Sequence, residues 1–156
     1  MDVLLKVREW TEKKLTTKIL NINLLSATDN WGWIAWHCAV HEGNLNILLQ
    51  VREWVKEKLK TEDINCKLLL ATDDEGMTAW HWAAFEGNLD VLQKLWNWAE
   101  EKLTTEERNN ILFLVTDNEG RTIWHVAAKE GSLEIFLKLF FWAIGNLKKR
   151  RKIVNN

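Results

Sequence analysis

The segment Asp73-Asp74-Glu75-Gly76-Met77-Thr78-Ala79-Trp80-His81-Trp82-Ala83-Ala84-Phe85-Glu86-Gly87-Asn88-Leu89 returns, with changes, 44 residues earlier and 44 residues later. Trp36-His37, Trp80-His81 and Trp124-His125 keep that interval, as do Trp10, Trp54, Trp98 and Trp142. So do the glycine pairs Gly32 and Gly43, Gly76 and Gly87, Gly120 and Gly131. Independent marks in one register identify a tandem array, in which each unit needs its neighbours to bury both faces.

Within a unit, the residue order prescribes the local structure. Asp29 and Gly32, Asp73 and Gly76, and Asp117 and Gly120 bracket a tight turn, because Asp accepts local backbone hydrogen bonds and Gly supplies a positive φ. Thr78 and Thr122 then stand where a short helix needs an N-cap; Ile34 stands there in the first unit and cannot cap, which predicts a weaker start. Trp36/Ala39/Val40, Trp80/Ala83/Ala84 and Trp124/Ala127/Ala128 repeat at i, i+3, i+4, one buried stripe per helix. Glu-Gly at 42–43, 86–87 and 130–131 ends each short helix. A longer second helix carries Leu89, Val91, Leu92, Leu95, Trp98, Ala99 and Leu103 on its apolar side. Thr104-Thr105-Glu106-Glu107 then reads as the start of a third, short helix. The seven periodic tryptophans at 10, 36, 54, 80, 98, 124 and 142 are expected in the core.

The frame Asp-x-x-Gly-x-Thr-x-Trp-His-x-Ala-Ala-x-Glu-Gly-Asn-Leu resembles the ankyrin repeat, clearest from Asp73 to Leu89 and from Asp117 to Leu133 and looser from Asp29 to Leu45. The usual Thr-Pro-Leu-His reads Thr78-Ala79-Trp80-His81 here, and a usual spacing of about 33 residues is stretched to 44. HEAT and armadillo arrays repeat near this length but lack the Asp-x-x-Gly turn and the Trp-His-x-Ala-Ala run. The resemblance implies an all-α, ankyrin-like solenoid of stacked helix pairs with hairpin connections and an extra short helix per repeat. The units are 1–28 as an N-terminal half-repeat, 29–72, 73–116 and 117–147 as repeats, and 148–156 as a basic tail, in a single domain.

Chemistry finds little purchase. His37, His81 and His125 hold one position per unit, so stacking spaces them by about 10 Å, too far for a shared metal; the resemblance implies that each hydrogen-bonds turn backbone. His37-Cys38-x-x-His41-Glu42 is the one metal-like cluster, but His37 belongs to the fold and a closed site wants four ligands, so no metal and no cofactor is expected. Serine occurs only at Ser26 and Ser132, and no nucleophile elbow, dinucleotide or phosphate-loop motif is present, so no catalysis is expected. Acidic pairs such as Asp73-Asp74 belong to turns.

What does not repeat is where recognition would lie. Turn tips carry Trp31 and Trp33, then Met77, then Arg121; the short helices carry Cys38 and His41, then Trp82 and Phe85, then Lys129. In proteins that resemble this one, these positions form the concave binding surface. Trp31, Trp33, Cys38, His41, Met77, Trp82, Phe85, Arg121 and Lys129 are therefore the expected partner-binding set, an aromatic strip with cationic charge at one end. The partner class is a protein or peptide. Trp31 and Trp33 on a short loop cannot both be buried, and lone exposed aromatics have a reason.

The 156-residue chain has a net charge of −1, which argues against a general nucleic-acid binder, and its two cysteines, Cys38 and Cys66, suit a reduced, intracellular and cytoplasmic setting. No run of about 18 apolar residues or more marks a membrane span. Lys148 to Lys152 would suit a nuclear-import signal, although a solubilising helix end is the plainer reading. The chain opens inside a unit without a polar capping repeat, and Phe136, Leu139, Phe140, Phe141, Trp142 and Ile144 make the last helix apolar nearly all round, which predicts a covered face. An excised piece of a longer array, or a homo-oligomer through the terminal helices, would explain both. The alternative to a partner-binding module is a structural or engineered scaffold without a natural ligand.

Overall fold

The computed structural model describes residues 3, 6, 25–58 and 68–154. Trp10, Cys66 and most of the half-repeat 1–28 lie outside the described residues, as does the side chain of Trp54. The labelled elements are all helices: α1 Ala35–His41, α2 Leu45–Lys58, α3 Ala79–Phe85, α4 Leu89–Lys102, α5 Thr105–Phe113, α6 Ile123–Lys129 and α7 Leu133–Val154. Short helices α1, α3 and α6 stack side by side, and each also packs on the longer helix that follows it. The fold is the all-α solenoid of helix pairs that the repeats dictate.

Alanine makes the close stacking possible, since Ala39, Ala83, Ala84 and Ala127 are buried between short helices. Trp36, Trp80 and Trp98 fill the layer behind them, with Trp36 edge-on to Trp98 at 5.0 Å and the Trp80 indole donating to the Leu69 carbonyl at 2.9 Å. Burying one such indole stabilises by about 3 kcal/mol. Trp124 and Trp142 depart from the expected core set: both are only partly buried. Trp124 lies between Phe113 and Phe136, and Trp142 stacks flat on Trp96 at 4.4 Å. Both belong to the unit 117–147.

Each short helix starts on a histidine. The Ile34, Thr78 and Thr122 amides donate to Nδ1 of His37, His81 and His125 at 3.3, 3.2 and 3.1 Å. Ile34 keeps only this half of the cap, whereas the Thr78 and Thr122 hydroxyls also lie 2.9 Å from their histidines, so the first helix has the weaker start that the sequence predicts. Thr104 and Glu107 cap α5 reciprocally, as their spacing predicts. Arg108, buried on α5, donates to the Leu103 carbonyl and holds that insertion against the array.

Helix α7 continues across 147 and 148 to Val154, so Lys148 to Lys152 is a helix end rather than a detached tail, with Lys149 Nζ 3.6 Å from Glu100. Ile135 and Leu139 face inward, whereas Leu133, Leu137, Phe140, Phe141 and Leu147 are exposed; the covered face expected of this helix is open in the chain as described. Among the described residues, no helix is long and apolar enough to cross a membrane.

Candidate partner-binding groove

The three hairpin turns share one construction. Oδ1 of Asp29 accepts the Trp31 and Trp33 amides, both at 2.9 Å; Asp73 accepts those of Glu75 and Met77, and Asp117 those of Glu119 and Arg121. Gly76 turns the chain at φ +74°, a conformation that side chains with a Cβ rarely adopt. Successive tips are stitched together: Asp74 N–H donates to the Trp31 carbonyl at 3.1 Å and Asn118 N–H to that of Glu75 at 2.9 Å. The histidines add a second tie. His37 Nε2 donates to the Ala71 carbonyl at 2.9 Å, at the end of its own unit, and His81 Nε2 to that of Arg121 at 3.1 Å, in the unit that follows. These bonds fix the ring tautomer, and burial pushes both imidazoles below their usual range.

On that rigid edge the irregular side chains of the first two units converge. Trp33 is half-buried, edge-on to Trp82 at 4.8 Å and to His41 at 5.1 Å; His41 lies 5.3 Å from Trp82, and Phe85 lies 5.5 Å from its other side. The Trp82 indole donates to Oδ2 of Asp73 at 2.8 Å, and His41 Nδ1 lies 2.8 Å from a Glu86 carboxylate oxygen. Trp31 stands beside the cluster with 71% of its surface exposed. A groove of about 600 Å³ opens here, lined by Asp29, Trp31, Trp33, Cys38, Asp74, Glu75 and Trp82.

The structure therefore gathers Trp31, Trp33, Cys38 and Trp82 around one groove, with His41 and Phe85 bracing it, and leaves out three of the expected residues. Met77 is buried, at 2% exposure. Its hairpin is stitched to a neighbour on each side, and an unbranched thioether fills the space beneath rather than pointing out. Arg121 is no free cation, because its Nε donates to Asp117 Oδ2 at 2.7 Å and Nη1 lies 3.0 Å from Glu119. Burial alone would raise the Asp117 carboxyl; the Arg121 amide and guanidinium outweigh it and hold it low. Lys129 is exposed on α6 and does not line the groove.

The expected cationic end is replaced by acid. Asp29, Asp74 and Glu75 line the groove, and no lysine or arginine does among the described residues. Sequence reasoning assigned Asp29 to turn formation; the missed signal is that its carboxylate has two oxygens and the turn uses one. Cys38 is not an activated nucleophile, since partial burial and then the charge of Asp29 push its thiol up. Among the described residues no group of three or more His, Cys, Asp or Glu could hold a metal ion.

The family model for ankyrin repeats, in three copies, matches residues 11–105. The chain belongs to the ankyrin-repeat family. That family consists of protein-interaction modules, and the matched stretch holds helices α1 to α4. A chain of the crystal structure of the yeast ribosomal protein Rps3 in complex with its chaperone Yar1 has a similar fold. The TM-score is 0.64 at 20% identity, over 86% of this ankyrin-repeat chain and 81% of that one. No curated protein matches.

Proposed function

We propose that this ankyrin-repeat chain binds an extended segment of a protein partner in the groove between its first and second hairpins. One observation carries the reading: Trp31, Trp33, Trp82 and Phe85, none of which repeats, lie together on one edge, and Trp31 stays exposed beside a concave surface. Exposed indoles anchor interfaces because their large area is desolvated on binding at little cost in conformational freedom. The mechanism is rigid display. Tip-to-tip hydrogen bonds and the histidine ties hold the groove in shape before the partner arrives, so little ordering entropy is lost on association. The solved complex that shares the fold pairs a ribosomal protein with its chaperone, which supports a protein as the partner class.

The test is selection of binders from a randomised displayed-peptide library, followed by titration against the Trp31→Ala variant. Selected peptides should bind the variant at least about tenfold more weakly, the loss of roughly 1.4 kcal/mol or more expected of an interface anchor. The melting temperature should stay within about a degree, since a side chain this exposed contributes little to stability. Undiminished affinity would remove Trp31 from the site.

A further inference from the structure

The second oxygen of the turn aspartate separates the three units. In unit two, Asp73 Oδ2 accepts the Trp82 indole N–H; in unit three, Asp117 Oδ2 accepts the Arg121 guanidinium. In unit one Cys38 occupies the place of Trp82 and Trp33 the place of Arg121. Neither supplies that donor, and Asp29 Oδ2 has no hydrogen-bond partner among the described residues, although Oδ1 carries both turn amides. Asp29 itself lines a groove walled by Trp31, Trp33 and Trp82 and edged by the carboxylates of Asp74 and Glu75.

We infer that this groove takes an arginine side chain of the partner, its guanidinium pairing with Asp29 Oδ2 and stacking on the tryptophan walls. The inference rests on the proposed groove and adds the chemistry of its occupant. The repeat itself supplies the precedent: unit three fills the equivalent oxygen with its own arginine. Arginine fits better than lysine because a planar guanidinium pairs with a carboxylate and lies flat on an indole at once, whereas an ammonium is a hydrated point charge. Asp29, Asp74 and Glu75 line the groove and no lysine or arginine does among the described residues, which completes the charge complementarity.

The probe is a blocked five-residue peptide with a central arginine flanked by serine and glycine, compared with peptides carrying lysine or citrulline there. Titrations are followed by the indole N–H signals of the full chain in nuclear magnetic resonance. The arginine peptide should move the Trp31, Trp33 and Trp82 signals and leave Trp98 in place. Citrulline, which keeps the shape and loses the charge, should bind about tenfold more weakly, the scale of a charge-assisted hydrogen bond. Asp29→Asn keeps an oxygen for both turn amides and should abolish the difference between arginine and citrulline, whereas Asp117→Asn should leave it intact. Equal binding of arginine and citrulline, with the groove signals still moving, would overturn the cationic occupant and leave the aromatic groove standing. Tighter binding of lysine than arginine would overturn the guanidinium. Movement confined to other indoles, or none, would overturn both this inference and the groove.

Discussion

The repeated histidine, spaced too widely for a shared metal, is a clamp. The ring of His81 accepts the Thr78 amide at one nitrogen and donates to the Arg121 carbonyl with the other, so it caps its own helix and holds the next hairpin. His125 is exposed and makes only the first of these bonds among the described residues. His81→Ala should therefore cost about 2–3 kcal/mol in denaturant unfolding, and His125→Ala under about 1 kcal/mol; equal losses would mean that the inter-unit bond contributes nothing. Both buried rings are held neutral by burial, which outweighs the carbonyl bonds to Ala71 and Arg121 and the nearby aspartates. Their folded values lie below the unfolded one, so the unfolded chain binds the extra protons as pH falls. Their contribution is complete above about pH 6.5 and is lost below it, at roughly 1 kcal/mol per pH unit for each ring. Unfolding free energies measured from pH 7 to 5.5 should fall with pH, and His81→Ala should flatten that slope; an unchanged slope would contradict the assignment.

At the scale of the element, the hairpin turn shows how much was legible in the sequence. The Asp-x-x-Gly spacing predicts the turn, and Thr104 with Glu107 predicts the start of α5, because both depend on bonds within a few residues. The close approach of one tip to the next has no such local mark. Gly76 and Gly120 share nearly the same φ, +74° and +76°, yet a Cβ at Gly76 would lie 2.6 Å from Asn118 Oδ1 and 2.9 Å from Asn118 N, whereas one at Gly120 meets nothing within 4 Å. Gly120→Ala should cost about 1–2 kcal/mol from the left-handed backbone alone. Gly76→Ala should cost at least about 1 kcal/mol more, since it also displaces the stitched tip of the next unit. Matching thermal shifts for the two variants would show that the tips are not tied. The groove was half legible for the same reason. Trp31, Trp33 and Trp82 stood out by failing to repeat, whereas the burial of Met77 and the pairing of Arg121 with Asp117 depend on neighbours that sequence spacing does not record.

For the whole molecule, regular residues build the stack, and Trp31, Trp33, Cys38 and Trp82, which do not repeat, line one junction. Trp124 and Trp142 nonetheless fall short of the burial that their period predicts. Two surfaces are candidates for the proposed partner: the aromatic groove of the first two hairpins, and the open apolar side of α7 with Leu137, Phe140 and Phe141. The groove is shaped by bonds on every side and carries a charge pattern, which makes it the selective one of the two. Amide hydrogen exchange, with and without a library-selected peptide, separates them directly. Slowed exchange at residues 30–33 and 74–77, with α7 unchanged, is the predicted result; protection gained along 133–147 with the turn tips unaffected would contradict it.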